Sequence, residues 1–211
     1  MESKPYSKSV KHPSKFFAHS ISVTSLTGTG SSTTLKVIKN KLNNSMYRYV
    51  SGGAIMRSFA AERGCSIEEM ATFNLEHPEA GYDMRLDKMI ETFSLQDYVI
   101  AEARLAHVFS PYSFHVLLTC DLEIRATRRS KDAEFVDKGL DVVRAEIVKR
   151  DLDDNARYEK LYPGCIWEES EFDLVVDTGK LNPEQILELI FNSHEAWCQK
   201  NKEVLIKTVT V

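Results

Sequence analysis

The chain has 211 residues, enough for one large domain with a buried core, and is 27% charged and 43% hydrophobic, as expected of a globular protein. Its net charge of −4 argues against a general nucleic-acid coat or a membrane-surface role. No apolar run approaches the roughly 18 residues that a membrane span needs.

Residues 1–18 are rich in Lys, Ser and Pro, without periodicity or an apolar signal core, and are expected to form a mobile leader. Ile21 and Val23 then mark a short β-rich run, and a small-residue loop follows from Ser25 to Ser32. Leu35, Ile38 and Leu42 continue it at helix spacing. Strand, small-residue loop and helix form the layout in which backbone N–H groups and a helix N-terminus converge on an anion. Against the pattern G-x-x-x-x-G-K-[ST] the chain reads SLTGTGSS. Gly30 and the hydroxyl of Ser32 fit, whereas Ser25 replaces the first glycine and Ser31 the lysine. An ordinary N-capped turn is the rival reading of these residues.

A strand is expected at Tyr47–Val50, and SGGAIMR opens a helix that runs toward Arg63. Ser66 and Glu69 have capping-box spacing ahead of Ile67, Met70, Phe73 and Leu75. Residues 83–94 carry Met84, Leu86, Met89, Ile90 and Phe93 in a further helical pattern. Strands are expected at 98–101, 114–118 and 172–176, with helices over 121–131, 138–160 and 182–200. The tail after residue 200 is β-prone. Five apolar strands separated by helices predict an α/β fold, a parallel sheet covered on both faces that binds ligands at the carboxyl ends of its strands.

Arg57, Arg104, Arg125, Arg128, Arg150 and Arg157 fall at those strand ends or within one helical stretch. Guanidinium forks suit a site that neutralises phosphate. Arg150, Asp154 and Arg157 stand at i, i+4 and i+7, one helix face. That face is either an internal salt-bridge ladder or a jaw for a polar base and its phosphate. Cys65, Cys120, Cys165 and Cys198 are scattered without a C-x-x-C pair, which suits free thiols in a reducing cytoplasm better than disulfides or zinc. His107 and His115 read as isolated packing residues.

From about residue 20 to 190 the chain resembles the cytidylate kinases, in particular the compact archaeal-type nucleoside-monophosphate kinases. SGGAIMR (51–57) resembles the family segment that receives the acceptor phosphate, which implies roles for Ser51 and Arg57. AEARLA (101–106) resembles the turn carrying an acceptor contact, here Arg104. LTCDLEIRATR (118–128) is similar to the strand and helix before the lid, with Arg125 and Arg128 at lid-arginine positions. RDLDDNARYEKLY (150–162) resembles the segment that grips the cytidine nucleotide, through Arg150, Asp154 and Arg157, and FDLVVDT (172–178) resembles the last core strand.

The resemblance implies a P-loop kinase fold: a five-stranded parallel sheet with helices on both faces and a helical lid and monophosphate-binding insert over residues 19–200, between two tails. It implies phosphoryl transfer from ATP to CMP or dCMP, in the cytoplasm, with small nucleotides as partners and neither nucleic acid nor membrane. ATP would lie on Gly28, Thr29, Gly30, Ser31, Ser32 and Thr33 with Arg125, and Ser32 would hold Mg²⁺. Arg128, Arg150 and Arg157 would be the catalytic arginines; Ser51, Arg57, Arg104 and Asp154 would hold the acceptor. With no spare apolar face in the pattern, a monomer is expected.

The departures are Ser25, Ser31, Ala103 before Arg104, and Asp132 where relatives often carry a lid arginine. Serine hydrogen-bonds phosphate but brings no charge, and losing one preorganised donor at such a site costs about 2.7–4 kcal/mol in the barrier. Arg128 is the candidate to replace the missing lysine. A nucleotide-binding sensor or scaffold without turnover is the alternative.

Overall fold

The computed structural model describes residues 19–31, 33, 34, 37 and 47–201. Ser32 and both terminal tails lie outside the described residues, as do Leu35, Ile38 and Leu42. Five strands form one sheet: β1 (Ile21–Ser25), β2 (Arg48–Ser51), β3 (Val99–Glu102), β4 (Phe114–Thr119) and β5 (Leu174–Asp177). Their order is β2-β3-β1-β4-β5, and every neighbouring pair is parallel. From β1 the chain crosses to β2 on one side, and from β3 it returns to β4 on the other. The crevice between β1 and β3 is therefore the switch point where such sheets bind ligands.

The helices are α1 (Gly52–Arg63), α2 (Ile67–Glu76), α3 (Tyr82–Ser94), α4 (Ala106–Phe109), α5 (Leu122–Arg129), α6 (Leu140–Leu161) and α7 (Pro183–Lys200). Residues 31, 33, 34 and 37 are helical as well. One face of the sheet packs Ile21, Val23, Ile100, Phe114, Val116 and Leu118 against Ile186, Leu187 and Ile190 of α7. On the opposite face Val99 and Ala101 pack against Phe59 of α1, Met70 of α2, and Leu86 and Ile90 of α3. Strand side chains alternate between faces, so β3 feeds both cores. Each fully buried Ile, Leu, Val, Met or Phe contributes roughly 1.5–3 kcal/mol.

Several expectations need adjustment. Strands β2 and β3 each run one residue further than the apolar pattern suggests, so Ser51 and Glu102 are strand-end residues that pair across the ladder. On α2 the buried residues are Met70 and Asn74, while Leu75 is exposed. On α3 the buried line is Asp83, Leu86, Asp87, Ile90 and Ser94, and Met84 and Met89 face solvent. His107 and His115 are not isolated: their rings meet edge to face at 6.3 Å beneath β1 and β4. Burial, and then His115, pushes His107 down to about 3, so it is neutral. The outer side of α6 also presents a spare apolar face, with Val148 and Leu152 exposed.

Candidate active site

The loop after β1 is shaped by two glycines in the left-handed region, Gly28 at φ 81° and Gly30 at φ 88°. Three arginines grip its backbone at alternate carbonyls. Arg104 Nη1 donates to Ser25 O at 3.2 Å, Arg125 Nε to Thr27 O at 2.7 Å, and Arg128 Nη1 to Thr29 O at 3.0 Å. A Cβ on Gly28 would sit 3.4 Å from Arg125 Cβ, and one on Gly30 3.4 Å from Arg128 Nη1. The loop is therefore packed directly onto α5. Gly30 O accepts from the N–H groups of Thr33 and Thr34, which starts the following helix; Thr33 is exposed and Thr29 buried.

Arg128 is anchored further by Thr178 at the end of β5, donating to Thr178 Oγ1 at 3.1 Å and Thr178 O at 2.6 Å. Thr178 Oγ1 in turn donates to Thr29 O at 2.6 Å. The arginine singled out to stand in for the lysine thus lies beside Gly30, with its fork engaged by the loop and by the β5 end.

At the lysine position, Ser31 Oγ donates to Glu102 Oε1 at 3.2 Å. Ser51 Oγ and Tyr49 Oη donate to Glu102 Oε2 at 2.9 and 3.1 Å. Three hydroxyls, two of them from β2, thus share one carboxylate at the end of β3. Burial first, then the Glu102 charge, raises the Tyr49 phenol well above its usual range and keeps it protonated. Ser51 also caps α1, accepting from Ala54 N–H at 3.3 Å. A Cβ on Gly53 would meet Arg57 Nη1 at 3.5 Å and Ser51 Oγ at 3.7 Å, so exposed Arg57 lies over the same helix start as Ser51.

Helix α6 closes the other side. Asp151 Oδ1 accepts from Arg104 Nη2 at 2.8 Å and from Thr27 N–H at 3.3 Å, and Asp151 Oδ2 pairs with Arg125 Nη2. Asp154 pairs with Arg104 Nη2 at 3.1 Å and with Arg157 Nη2 at 2.9 Å, and Arg157 Nε lies 3.1 Å from Asp83 Oδ2. Three guanidiniums thus face three carboxylates in a largely buried cluster. Burial pulls the Asp151 carboxyl up, but Arg104 and then Arg125 outweigh it and hold it below the usual range. Asp83 is raised by burial despite Arg157. Burial also drives Asp87 up to about 7, against the hydrogen bond it accepts from Tyr162 Oη at 2.8 Å.

Arg150, expected on the same helix face as Asp154 and Arg157, is exposed instead, whereas the other two point inward. The ladder and jaw readings of that face therefore reduce here to an Asp154–Arg157 pair extended to Arg104 and Asp83. Glu102, Asp151, Asp83 and Thr178 had no assigned role in the sequence. Asp151 and Asp154 at i, i+3 beside Arg150 were a readable signal of a two-carboxylate helix face. Asp83 gave none, because a carboxylate on the buried line of an amphipathic helix reads as solvent-facing.

A family model described as AAA domain matches residues 21–149. A cytidylate kinase from Ignicoccus hospitalis is 34% identical over 166 residues, covering 77% of this chain and 91% of its own length. The chain belongs to the cytidylate kinase family. A second cytidylate kinase, from Methanocaldococcus jannaschii, is 31% identical and covers 81% of this chain and 94% of itself. Among solved structures, the shikimate kinase of Bacteroides thetaiotaomicron superposes with a TM-score of 0.53 at 14% identity, covering 87% of this chain and 98% of its own. The shikimate kinase of Aquifex aeolicus gives 0.51 at 18% identity, covering 83% and 96%. These two show the P-loop kinase fold.

Proposed function

We propose that the chain transfers the γ-phosphoryl group of ATP to a pyrimidine nucleoside monophosphate, CMP or dCMP. The observation that carries this reading is the grip of Arg104, Arg125 and Arg128 on alternate carbonyls of one glycine loop at the β1/β3 crevice. Phosphoryl transfer asks a protein mainly for positioning and for charge placed where the phosphates meet.

In this reading the phosphates of ATP lie along Gly28–Thr33, with Arg125 and Arg128 facing them from α5. Ser51, Arg57 and Arg104 receive the acceptor phosphate, while Asp154 and Arg157 hold the nucleoside. An oxygen of the CMP phosphate attacks the γ-phosphorus in line; the bond to the bridging oxygen breaks, and ADP leaves with that electron pair. Arg57 and Arg150, both exposed, are the cations able to turn onto the substrates as α5 and α6 close and exclude water. Glu102 and the loop hydroxyls are hard oxygen donors that fit Mg²⁺, and Ser32 joins that set by its position in the motif. When bound, the ion neutralises charge on the phosphate oxygens.

The test is a coupled ADP-release assay across nucleoside monophosphates. Turnover with CMP or dCMP above UMP, AMP and GMP is expected. No turnover with any of them at high enzyme concentration overturns the reading. CMP-dependent thermal stabilisation without ADP release would favour the sensor alternative, which Ser31 motivates.

A further inference from the structure

We propose that Thr27 N–H, Arg104 and Arg125 form a phosphoryl-sized anion site that the carboxylate of Asp151 fills from α6. The protein thereby carries its own competitor for a nucleotide phosphate. This deepens the kinase reading and rests on it for the identity of the natural ligand.

Three donors from three segments converge on one carboxylate: the loop amide of Thr27 at 3.3 Å, Arg104 Nη2 at 2.8 Å, and Arg125 Nη2. Charge-assisted contacts of this kind, with guanidinium forks beside a backbone N–H, recognise carboxylate and phosphate alike. The donors do not depend on Asp151 for their placement. Arg104 is tethered by Nη1 to Ser25 O, and Arg125 by Nε to Thr27 O, so both forks stay on the loop when α6 moves. The occupant, by contrast, belongs to another helix and, among the described residues, reaches the loop backbone through this contact with Thr27.

The burial of the two arginines dictates how the occupant leaves. Their side chains are 9% and 6% exposed, and Asp151 is 16% exposed. Withdrawing the carboxylate without replacement would strand desolvated positive charge, which is strongly unfavourable. Departure is therefore coupled to the arrival of another anion. Asp154, one turn further along α6, pairs with the same Arg104 Nη2 at 3.1 Å. Burial raises the Asp151 carboxyl, but the two arginines outweigh it and hold it below its ordinary range.

The experiment titrates the full-length chain and its D151N variant with inorganic phosphate and, separately, with CMP, by isothermal calorimetry at fixed ionic strength. D151N should bind inorganic phosphate at least about tenfold more tightly than the parent chain, since the charged competitor is gone. Equal or weaker phosphate binding by D151N overturns the proposal and leaves Asp151 as a positioning residue for the arginines. A gain for CMP equal to that for phosphate assigns the site to the nucleotide's phosphate. A gain for phosphate alone assigns it to the free anion and overturns the nucleotide part. If D151N does not fold, a crystal structure of the parent chain with CMP and an ATP analogue decides. Phosphate oxygens on Thr27 N–H and the two forks, with Asp151 displaced, support the proposal; intact Asp151 pairs with both nucleotides bound overturn it. The binding readout is independent of turnover. An inactive protein whose D151N variant gains phosphate affinity keeps the site and loses the kinase reading; an active one without that gain does the reverse.

Discussion

At the residue scale, Ser31 and Asp87 make the sharpest statements. Ser31 leaves its position without charge, yet its hydroxyl already meets Glu102, a carboxylate able to orient an ammonium group there. Ser31→Lys should therefore raise kcat on the order of 10²-fold in the ADP-release assay, the scale of one preorganised donor. An unchanged kcat would mean that the loop arginines already supply the charge. Asp87 lies on the buried line of α3, against Tyr162. Burial lifts its pKa to about 7, above its unfolded value, so between about pH 4 and 7 the folded chain binds the extra proton. Its contribution to stability is thus present at low pH and lost as pH rises through 7. Asp87→Asn should match the parent chain in urea midpoint only below about pH 4, and its advantage should widen from pH 5 to pH 8.

Among elements, the contact between the start of α1 and the turn after β3 sets how closely the two segments proposed to hold the acceptor approach. A Cβ on Gly52 would lie 2.9 Å from Ala103 Cβ and 3.2 Å from Glu102 O. Overpacking of that kind costs typically 1–3 kcal/mol. Gly52→Ala should lower the urea midpoint accordingly and raise KM for CMP, because it pushes Ser51 away from Glu102. Adding Ala103→Gly should recover part of both losses, since the nearer of the two obstacles is then removed. Helix α2, by comparison, is specified locally. Ser66 and Glu69 form a reciprocal capping box, with hydrogen bonds of 3.1 and 2.7 Å, as their spacing in the sequence announces.

Across the whole molecule, the glycine loop after β1 is supported from the edge of the sheet by the end of β5. Thr178, 1% exposed, donates to Thr29 O and accepts from Arg128, joining positions 149 and 50 residues apart. Thr178→Val keeps the shape and removes these bonds at about 0.5–1.5 kcal/mol each, while Arg128 Nη1 still donates to Thr29 O. The expected result is a lower melting temperature and weaker binding of an ATP analogue by calorimetry, with CMP affinity unchanged because the acceptor side lies across β1 and β3. Equal weakening of both nucleotides would show instead that the loop and the acceptor segments behave as one rigid unit.

Strand and helix order, the glycine loop, the capping box and the arginines were legible in the chain itself, because periodicity, turn chemistry and motif spacing are local properties. Strand ends, and which helix face each carboxylate occupies, were not. Apolar patterning takes Asp83 and Asp87 for solvent-facing residues, and helical spacing puts Arg150, Asp154 and Arg157 on one face although Arg150 is exposed. The sequence alone settled that this is a parallel α/β chain with basic groups gathered at its strand ends. Only the tertiary structure decided which arginine each carboxylate neutralises. Desolvation makes an unpaired buried charge too costly, and helix packing brings Asp151 to Arg125 and Arg104, 26 and 47 residues away along the chain, where local patterning gives no signal.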